Sequence, residues 1–422
     1  MNPHDTFEIR CPVHGFVALN DWERQIIEQP AYQRLRRIRQ LAWTDQVYPG
    51  AMHNRFEHSL GVMHTAGLIY DAIIRNSSKV LHDELGYDEQ GVKRNRQLVR
   101  LAALLHDVGH SPFSHASEEL FPDQENGGGK FVHEQYSAAI VRGPLREAIE
   151  EHKLNQGYNL EAEDVAALLE GSAGARQGIF WRDLITGQMD ADRMDYLLRD
   201  SHHAGVHYGR FDLQRLISTM TAIRGKDGGP PRIGIQEGGW HAAEALVIAR
   251  YFMFTQVYFH KTRVAYDIHI REAMKELLPG GHFPTPEQLS EFLAWDDWRV
   301  LGLLASGGGG EHGARLSGRH HYRLVFQTNE VQTPDDKARL VKVRASLGEL
   351  LAAEMPAGKS WYKTGNTDIR VEDERTLGPV PLSVRSSVVR NLGNNDQVLL
   401  YCSPENRLEA MKKVKEALDG ME

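Results

Sequence analysis

Apolar residues recur every three or four positions along most of the first 280 residues, a spacing typical of amphipathic α-helices. The helices that this spacing predicts span residues 18–47, 56–76, 95–107, 133–151, 161–171, 180–201 and 240–278. Pro30 interrupts the first helix, and Gly109 is expected to cap the third at its C-terminal end. The pattern therefore predicts a mainly α fold for this part of the chain.

The pattern changes after residue 280. One more helix is predicted at 287–304, and SGGGGEHG at 306–313 indicates a flexible break. Beyond it, the pattern predicts strands at 321–328, 367–371 and 397–402, and helices at 335–354 and 404–419. The predicted parts are thus a helical body (1–280), a helical connection (281–305), a glycine-rich linker (306–319) and a small C-terminal α/β module (320–422).

Composition and charge narrow the functional classes. The chain has 422 residues, 41% of them hydrophobic and 25% charged, as in an ordinary globular protein. No apolar run approaches the roughly 20 residues of a membrane span, and the N-terminus lacks a secretory-signal pattern. With only Cys11 and Cys402, a disulfide framework is excluded and a reducing cytoplasm is expected. A net charge of −8 argues against broad binding of nucleic acid, although a local basic pocket is compatible with it.

The segment LAALLHDVGHSPFSH (101–115) joins a buried helix to groups that titrate or bind metals. Its apolar residues run into His106 and Asp107, and His110 and His115 follow. Neighbouring helical residues point about 100° apart, but both can reach a cation placed where the helix ends. Taken alone, the segment is better explained by a buried histidine that is hydrogen-bonded near a helix end.

Two distant segments favour a metal site instead. HNRFEHSLGVMHTAG (53–67) supplies His58 on a helix expected to pack against 95–107, and MDADRMDYLLRDSHHAG (189–205) supplies Asp192. Two imidazoles and two carboxylates suit Mn²⁺, Fe²⁺, Zn²⁺ or Ni²⁺ better than Ca²⁺. Such a set also leaves coordination positions open, as a catalytic metal requires.

This H…HD…D pattern resembles the HD superfamily of metal-dependent phosphohydrolases. Five motifs occur in the order found in the deoxynucleoside triphosphate triphosphohydrolases of the sterile-alpha-motif/HD-domain type and their bacterial counterparts: QRLRRIRQL, YPGAMHNRFEHSLGV, HDVGHSPFSH, HEQ and DRMDYLLRDSHHAG. The resemblance covers residues 14–270, and the region after residue 280 carries no part of it. It implies that residues 1–280 form an HD phosphohydrolase domain.

The resemblance implies a role for each matching residue. The implied metal ligands are His58, His106, Asp107 and Asp192, which would hold one divalent ion (Mn, Fe, Ni, Zn or Mg), with a second ion able to arrive with the nucleotide. The implied catalytic residues are His110, His115, His133 and Glu118, with Glu118 positioning His133. The implied substrate contacts are Arg55 and Arg193 at the phosphates, Tyr196 and Leu41 at the 2′ carbon, Gln40 and Asp200 at the 3′-hydroxyl, and His260 on the helix that closes the pocket.

Structural roles are the alternative for all of these residues: buried polar groups for the ligands, a loop-holding hydrogen-bond network for the catalytic set, ion pairs for the arginines and packing for Tyr196. The aromatic residues between Tyr251 and Phe259 are expected to be core. Gln256 stands where some relatives have an arginine facing phosphate, and Lys261 or Arg263 could replace it.

The leading functional prediction is an enzyme that hydrolyses deoxynucleoside triphosphates to deoxynucleoside and inorganic triphosphate. The alternatives are an HD-type phosphodiesterase or nuclease acting on nucleic acid or cyclic nucleotides, and a nucleotide sensor without activity. The resemblance also implies a homo-oligomer. It further implies an activating guanine nucleotide near Glu28, Gln33 and Arg36, for which a solvated helix face is the alternative.

Overall fold

The computed structural model describes residues 7–125, 127–171, 180–224, 231–359, 362–373, 378–393 and 395–419. The helices up to residue 277 are α1 (Asp21–Ile27), α2 (Pro30–Gln33), α3 (Arg55–Leu85), α4 (Glu89–Leu105), α5 (His133–Arg142), α6 (Arg146–Glu150), α7 (Ala162–Glu170), α8 (Asp183–Thr186), α9 (Ala191–Ala204), α10 (Leu213–Ser218), α11 (Trp240–Met253) and α12 (Lys261–Leu277). The later helices are α13 (Leu289–Leu293), α14 (Asp297–Ala305), α15 (Gly310–Ser317), α16 (Pro334–Leu347), α17 (Leu382–Arg385), α18 (Ser387–Asn391) and α19 (Arg407–Asp419).

The strands are β1 (Phe7–Cys11), β2 (Gly15–Leu19), β3 (Met220–Ile223), β4 (Arg232–Ile235), β5 (Arg323–Gln327), β6 (Ala353–Lys359), β7 (Arg370–Val371), β8 (Val380–Pro381) and β9 (Asn395–Cys402). They form a hairpin (β1-β2), a four-stranded sheet in the order β3-β4-β7-β8 and a three-stranded sheet in the order β5-β9-β6. Helices dominate the described residues, so the mainly α fold with a small α/β part is confirmed.

The segment before α3 differs most from the sequence prediction. Instead of one helix over 18–47 it contains β2, the short helices α1 and α2, and single 3₁₀ turns at Arg34–Arg37 and Thr44–Gln46. Pro30 occupies the first position of α2, where no N–H is needed, and so separates α2 from α1. After these turns the backbone makes hydrogen bonds to another segment of the chain instead of helical ones. The Gln40 N–H, for example, donates to the His53 carbonyl at 3.1 Å. The predicted long helix is therefore wrong.

Three helices bring the predicted ligands together. Asn54 and Glu57 form a capping box that starts α3, and Asp190 caps α9 by accepting the Arg193 N–H at 2.7 Å. Gly61 allows α9 to lie against α3, because a Cβ at this position would sit 1.9 Å from Asp195 Oδ1. The first turns of α3 and α9 therefore face the end of α4.

The helix predicted over 240–278 is divided in two. A π-helical turn at Phe254–Tyr258 follows α11, and His260 then caps α12 by accepting the Thr262 N–H through Nδ1 at 3.3 Å. The inserted turn changes the direction of the aromatic side chains after residue 253, which a regular helical spacing does not predict.

The C-terminal region packs closely on the helical body. Strand β7 pairs in parallel with β4, with Gly234 opposite Arg370. One face of the β5-β9-β6 sheet packs against α16 and α19. Its other face packs against α12, where Val264 clusters with Leu399 and Tyr401. Residues on both sides of the predicted 306–319 linker therefore share one sheet.

The flexible break predicted at 306–313 is partly wrong, because α15 begins at Gly310. Gly309 and Gly310 have positive φ angles of 78° and 55°. A Cβ at Gly309 would lie 3.0 Å from the Ala273 Cβ, and one at Gly310 would lie 2.2 Å from a Glu276 carboxylate oxygen. These glycines thus permit a close approach of α15 to α12.

Candidate metal centre and nucleotide-sized pocket

The four predicted ligands meet at one point. His58 Nε2 lies 3.0 Å from Asp192 Oδ1 and 3.5 Å from Asp107 Oδ2. His106 Nε2 lies 3.2 Å from Asp107 Oδ1 and 3.8 Å from Asp192 Oδ1. His58 comes from the first turn of α3, Asp192 from the first turn of α9, and His106 and Asp107 directly follow α4.

The hydrogen bonds on the far side of each imidazole fit a cation at this point. His58 Nδ1 pairs with Asp195 Oδ2 at 2.8 Å, and His106 Nδ1 pairs with the Ala103 carbonyl at 2.8 Å. With Nδ1 protonated, each Nε2 carries a lone pair, and neither Nε2 makes a hydrogen bond within the described part of the chain although both are buried. A metal-bound histidine is normally held in this way by its second nitrogen. The ligand atoms of His58, His106 and Asp107 lie within 4.8 Å of one another and therefore fit a divalent ion, and Asp192 beside His58 is a candidate fourth ligand.

The charges at this point also favour a cation. Burial lowers the pKa of His58, but the neighbouring carboxylates of Asp192 and Asp195 outweigh it and raise the pKa to about 10. Burial raises the pKa of Asp192, but bonds to His106 and His58 hold it well below its usual value. The carboxylates that draw a proton onto His58 would equally favour a divalent ion at Nε2, which would take the place of that proton.

Asp195 is the main residue of this centre to which the sequence analysis assigned no role. It accepts bonds from His14 Nε2 at 2.6 Å and from Arg199 Nε at 2.8 Å, in addition to its contact with His58. His14 belongs to the turn between β1 and β2, so the N-terminal hairpin reaches the surroundings of the metal site. In the sequence, the role of Asp195 was indicated only by its position three residues after Asp192, on the same face of α9.

The catalytic set forms a second cluster beside the first. Glu118 lies between two histidines, with His115 Nδ1 2.9 Å from Oε2 and His133 Nδ1 2.9 Å from Oε1. His110 stacks on His133 with ring centroids 3.9 Å apart and planes 19° apart. His110 Nε2 lies 3.2 Å from Asp107 Oδ1, which connects this cluster to the metal ligands.

The two stacked imidazoles differ in protonation. Burial lowers the pKa of His133, but its bond to Glu118 and the charge of Glu118 outweigh this effect and raise the pKa to about 9. Burial, Arg55 and His133 hold the pKa of His110 well below its ordinary value. Parallel stacked rings cannot direct two lone pairs at one ion between them. The cluster therefore suits proton transfer better than binding of a metal ion.

Gly109 has a different role from the predicted helix cap. Helix α4 ends at Leu105, and Gly109 is absent from the glycines with positive φ. A Cβ at Gly109 would lie 2.3 Å from the Ser137 backbone nitrogen and 2.4 Å from the His133 carbonyl oxygen. The absence of a side chain thus allows α5 to bring His133 against His110.

A pocket of about 430 Å³ opens over both clusters. Every predicted site residue lines it except His58, Glu118 and His260. His58 and Glu118 lie directly behind lining residues through the contacts described above. His260 is a helix cap beside the Tyr48 ring, 6.2 Å away between centroids, and the structure does not bring it to the pocket.

One end of the pocket is built around Asp200 and Tyr196. Asp200 Oδ1 pairs with His53 Nε2 at 2.7 Å, and Asp200 Oδ2 accepts the Tyr258 hydroxyl at 2.6 Å. The Tyr196 and Tyr258 rings lie 6.3 Å apart, edge to face. His53 and Tyr258 were not predicted as site residues, because neither stands in a recognisable spacing with a ligand.

Four arginines line the pocket. Arg55 pairs with Asp107 and donates from Nε to Ser114 Oγ at 2.7 Å. Arg193 donates to the Gly187 carbonyl and lies 3.4 Å from Asp190. Arg250 and Arg263 are further lining residues. Of the two residues expected to replace an arginine at position 256, Arg263 lines the pocket and Lys261 does not. Gln256 itself is also not a lining residue.

The aromatic residues after position 253 are only partly core, contrary to the sequence prediction. Phe254, Tyr258 and Phe259 line the pocket. The π-helical turn at Phe254–Tyr258 accounts for this difference. At the predicted activator site, Arg36 lies 3.5 Å over the Phe56 ring and donates to Gln33 at 2.8 Å. These contacts do not test whether a guanine nucleotide binds there, and the activator site stays a prediction.

The region that carries most of the predicted site residues is similar to a known domain family. Residues 55–200 match the model of the HD domain, and residues 211–355 match the HD associated region. The chain is 37% identical over 252 residues to the uncharacterized protein YwfO of Bacillus subtilis, covering 59% of this chain and 51% of that protein. It is 32% identical over 267 residues to the deoxynucleoside triphosphate triphosphohydrolase SAMHD1 homolog of Dictyostelium discoideum, covering 63% of this chain and 48% of that protein.

A solved structure extends the similarity to the C-terminal region. The crystal structure of a hypothetical protein from Aquifex aeolicus matches with a TM-score of 0.79 and 28% identity over 97% of this chain and 100% of that chain. The chain spans about half the length of the two sequence relatives above. Within the described ranges, no helix combines the length and apolar character that crossing a bilayer needs. The chain therefore carries an HD domain followed by an HD-associated region.

Proposed function

We propose that the protein is a metal-dependent phosphohydrolase that converts deoxynucleoside triphosphates to deoxynucleosides and inorganic triphosphate. The observation that carries the proposal is the meeting, in one pocket, of the H…HD…D centre, the Glu118 cluster and the pair Tyr196 and Asp200. The pocket volume of about 430 Å³ falls within the usual range for small-molecule sites. Relatives named as deoxynucleoside triphosphate triphosphohydrolases support the choice of substrate.

The phosphate end follows from charge. When bound by His58, His106, Asp107 and Asp192, a divalent ion supplies Lewis-acid stabilisation of phosphate oxygens. Arg55 and Arg193 bind further phosphate oxygens, for which the planar guanidinium is suited. Because the transition state of phosphoryl transfer spreads negative charge over these oxygens, positioning and charge provide most of the catalysis.

The leaving group needs a proton. Attack of water forms a new P–O bond at the α-phosphorus and breaks the bond to the 5′-oxygen; an imidazolium protonates the leaving alkoxide, and the proton that the attacking water loses restores the imidazolium. His133, kept protonated by Glu118, and His115, whose side chain is 63% exposed, are the donors we propose. The neutral His110 packs between His133 and Asp107 and maintains their spacing.

The sugar end provides selection. We propose that the Tyr196 ring occupies the space of a 2′-hydroxyl, with Leu41 opposite, and so rejects ribose by collision. Gln40 and Asp200 bind the 3′-hydroxyl. Asp200 is held in place for this role by His53 and Tyr258.

The experiment incubates the purified protein with each deoxynucleoside triphosphate and Mn²⁺ or Mg²⁺ and identifies the products by ion-exchange chromatography. Deoxynucleoside and triphosphate, absent with the Asp192→Asn variant, are the expected result. Cleaved oligonucleotides or opened cyclic nucleotides together with intact deoxynucleoside triphosphates would replace this proposal with a phosphodiesterase or nuclease.

A further inference from the structure

The first residue of α14 forms hydrogen bonds to two loops in one wall of the pocket, one containing Arg39 and the other containing Phe113. Asp297, the first residue of α14, is 1% exposed. Its Oδ2 accepts the backbone N–H of Arg39 at 2.9 Å, and its Oδ1 accepts the backbone N–H of Phe113 at 2.8 Å. One carboxylate thus bonds two segments that are 74 residues apart in the sequence. Asp297 lies outside residues 55–200, which match the HD domain, and inside the HD-associated region.

A continuous path of hydrogen bonds leads from Asp297 to an arginine in the pocket. The carbonyl of Arg39 accepts the Ser114 hydroxyl at 2.7 Å, and Ser114 Oγ accepts the Nε–H of Arg55 at 2.7 Å. Asp297 therefore holds Ser114 from both sides, through the neighbouring Phe113 amide and through Arg39. Ser114 at Nε and Asp107 at Nη1 together fix the direction of the Arg55 guanidinium.

The backbone that Asp297 holds is in an unfavourable conformation. Ala42, Phe113 and Ser114 all line the pocket and have φ angles of 46°, 58° and 55°. Residues other than glycine keep such angles only where the surroundings fix them, and they concentrate at functional sites. The Asp297 carboxylate provides two of the bonds that fix them.

A neighbouring contact fastens the same segment to the catalytic cluster. The buried Arg34 donates from Nη1 to the His110 carbonyl at 2.9 Å and from Nε to the Trp295 carbonyl at 2.9 Å. Arg34 therefore links Trp295, just before α14, to His110, in addition to the path from Asp297 to Ser114.

We propose that Asp297 is a positioning residue: by accepting the Arg39 and Phe113 amides, it fixes the Ser114 hydroxyl and thereby aims the Arg55 guanidinium at the phosphate end of the pocket. This rests on the proposed function only in that Arg55 meets phosphate. It gives the HD-associated region a direct part in building the substrate site.

The test compares Asp297→Asn, Ser114→Ala and the double variant with the wild type. Asparagine keeps the size of the side chain but places a donor against one of the two amides. The matched control is Asp296→Asn, since Asp296 contacts Arg37 and caps α14 through the Arg299 N–H, a role that asparagine also performs. The probe is inorganic triphosphate with Mn²⁺, measured by calorimetry. Bound manganese is counted by mass spectrometry.

We expect Asp297→Asn to weaken triphosphate binding by about tenfold, the order of effect of weakening one hydrogen bond from a charged group. Manganese content remains that of the wild type, because the candidate ligands lie on α3 and α9 and directly after α4, and Asp297 bonds none of them. Ser114→Ala gives a similar loss and the double variant no more than either single one, since both act through Arg55. The Asp296→Asn variant binds triphosphate like the wild type.

Hydrogen exchange provides a readout that needs no substrate. The Arg39 and Phe113 amides exchange faster in Asp297→Asn than in Asp296→Asn at equal global stability. Unchanged exchange at both amides, or losses that add in the double variant, would overturn the proposal. If Asp297→Asn does not fold, Ser114→Ala with wild-type affinity for triphosphate would overturn it. These results do not depend on turnover, so they are distinct from a failure of the wild type to hydrolyse deoxynucleoside triphosphates.

Discussion

His58 Nδ1 lies 2.8 Å from Asp195 Oδ2, on the side of the imidazole opposite the metal site. Asp195 thus fixes the tautomer that leaves Nε2 free to bind a cation. We predict that Asp195→Asn lowers manganese affinity by about ten- to a hundredfold, the usual effect of removing a partner of a metal-bound histidine. Equilibrium dialysis against a chelator measures it.

Glu57→Gln is the control for this prediction, because Glu57 pairs with Arg199, a partner of Asp195, but has no bond to His58. It should keep affinity near the wild-type value. Equal losses in the two variants would indicate a general disturbance of α9 rather than an effect on His58.

We predict that Glu118→Gln moves the alkaline limit of activity to lower pH. His133 donates a proton only below its pKa, which Glu118 and its charge raise to about 9 against the effect of burial. Without that charge the pKa falls, so kcat declines at lower pH than in the wild type. In Glu134→Gln the shift should be smaller, because Glu134 Oε2 is 3.5 Å from His133 Nδ1, against 2.9 Å for Glu118 Oε1. Identical kcat profiles for the wild type and Glu118→Gln would refute the proton-donor role.

The same pair affects stability in a defined direction. Because the pKa of His133 is raised on folding, the pair stabilises the folded state fully below the ordinary histidine pKa of about 6.5. That contribution is lost as the pH rises through about 9. Urea unfolding of the wild type and of Glu118→Gln at pH 6 and pH 10 compares the two limits.

Tyr196→Ala should admit ribonucleotides. Removing the ring opens the space that we assign to the 2′-hydroxyl, so ribonucleoside triphosphates become competitive inhibitors or substrates. Competition assays with one deoxyribonucleotide and its ribose counterpart measure the ratio of kcat/KM. Tyr258→Phe is the control, since it removes only the hydroxyl that bonds Asp200. A ratio unchanged by Tyr196→Ala would limit Tyr196 to packing.

Gly109→Ala is predicted to separate His133 from His110. The new Cβ would lie 2.4 Å from the His133 carbonyl, so α5 must move. We expect a loss of about 1–3 kcal/mol in the free energy of unfolding, as for other insertions into packed sites, and a reduced kcat. Gly157→Ala is the control, because nothing lies within 4 Å of its Cβ. Thermal unfolding and kcat similar to the wild type in Gly109→Ala would contradict this role.

The residues of the candidate metal centre could be selected from the sequence because each stands in a recognisable motif at the end of a strongly periodic helix, although the motifs are far apart along the chain. Asp195 and Asp297 could not be assigned roles in the same way. The role of Asp195 depends on how closely α9 approaches α3 at Gly61, and that of Asp297 on backbone amides far away in sequence. Sequence periodicity contains no information about either distance.

The helix predicted over 18–47 failed for a related physical reason. Its apolar spacing is helical, but backbone bonds to residues just before α3, such as Gln40 to His53, replaced helical ones. Similarly, because of the π-helical turn at Phe254–Tyr258, aromatic side chains that were predicted to be core line the pocket instead. Tertiary contacts overrode local preference where the substrate site is built.

Hydrolysis of a deoxynucleoside triphosphate in ¹⁸O-labelled water by the manganese-loaded protein, followed by phosphorus NMR and mass spectrometry, tests the proposed reaction most directly. Attack of water at the α-phosphorus predicts one ¹⁸O atom in the released triphosphate and none in the deoxynucleoside. Label in inorganic phosphate, pyrophosphate or a nucleoside monophosphate, or no triphosphate at all, would contradict the proposed function.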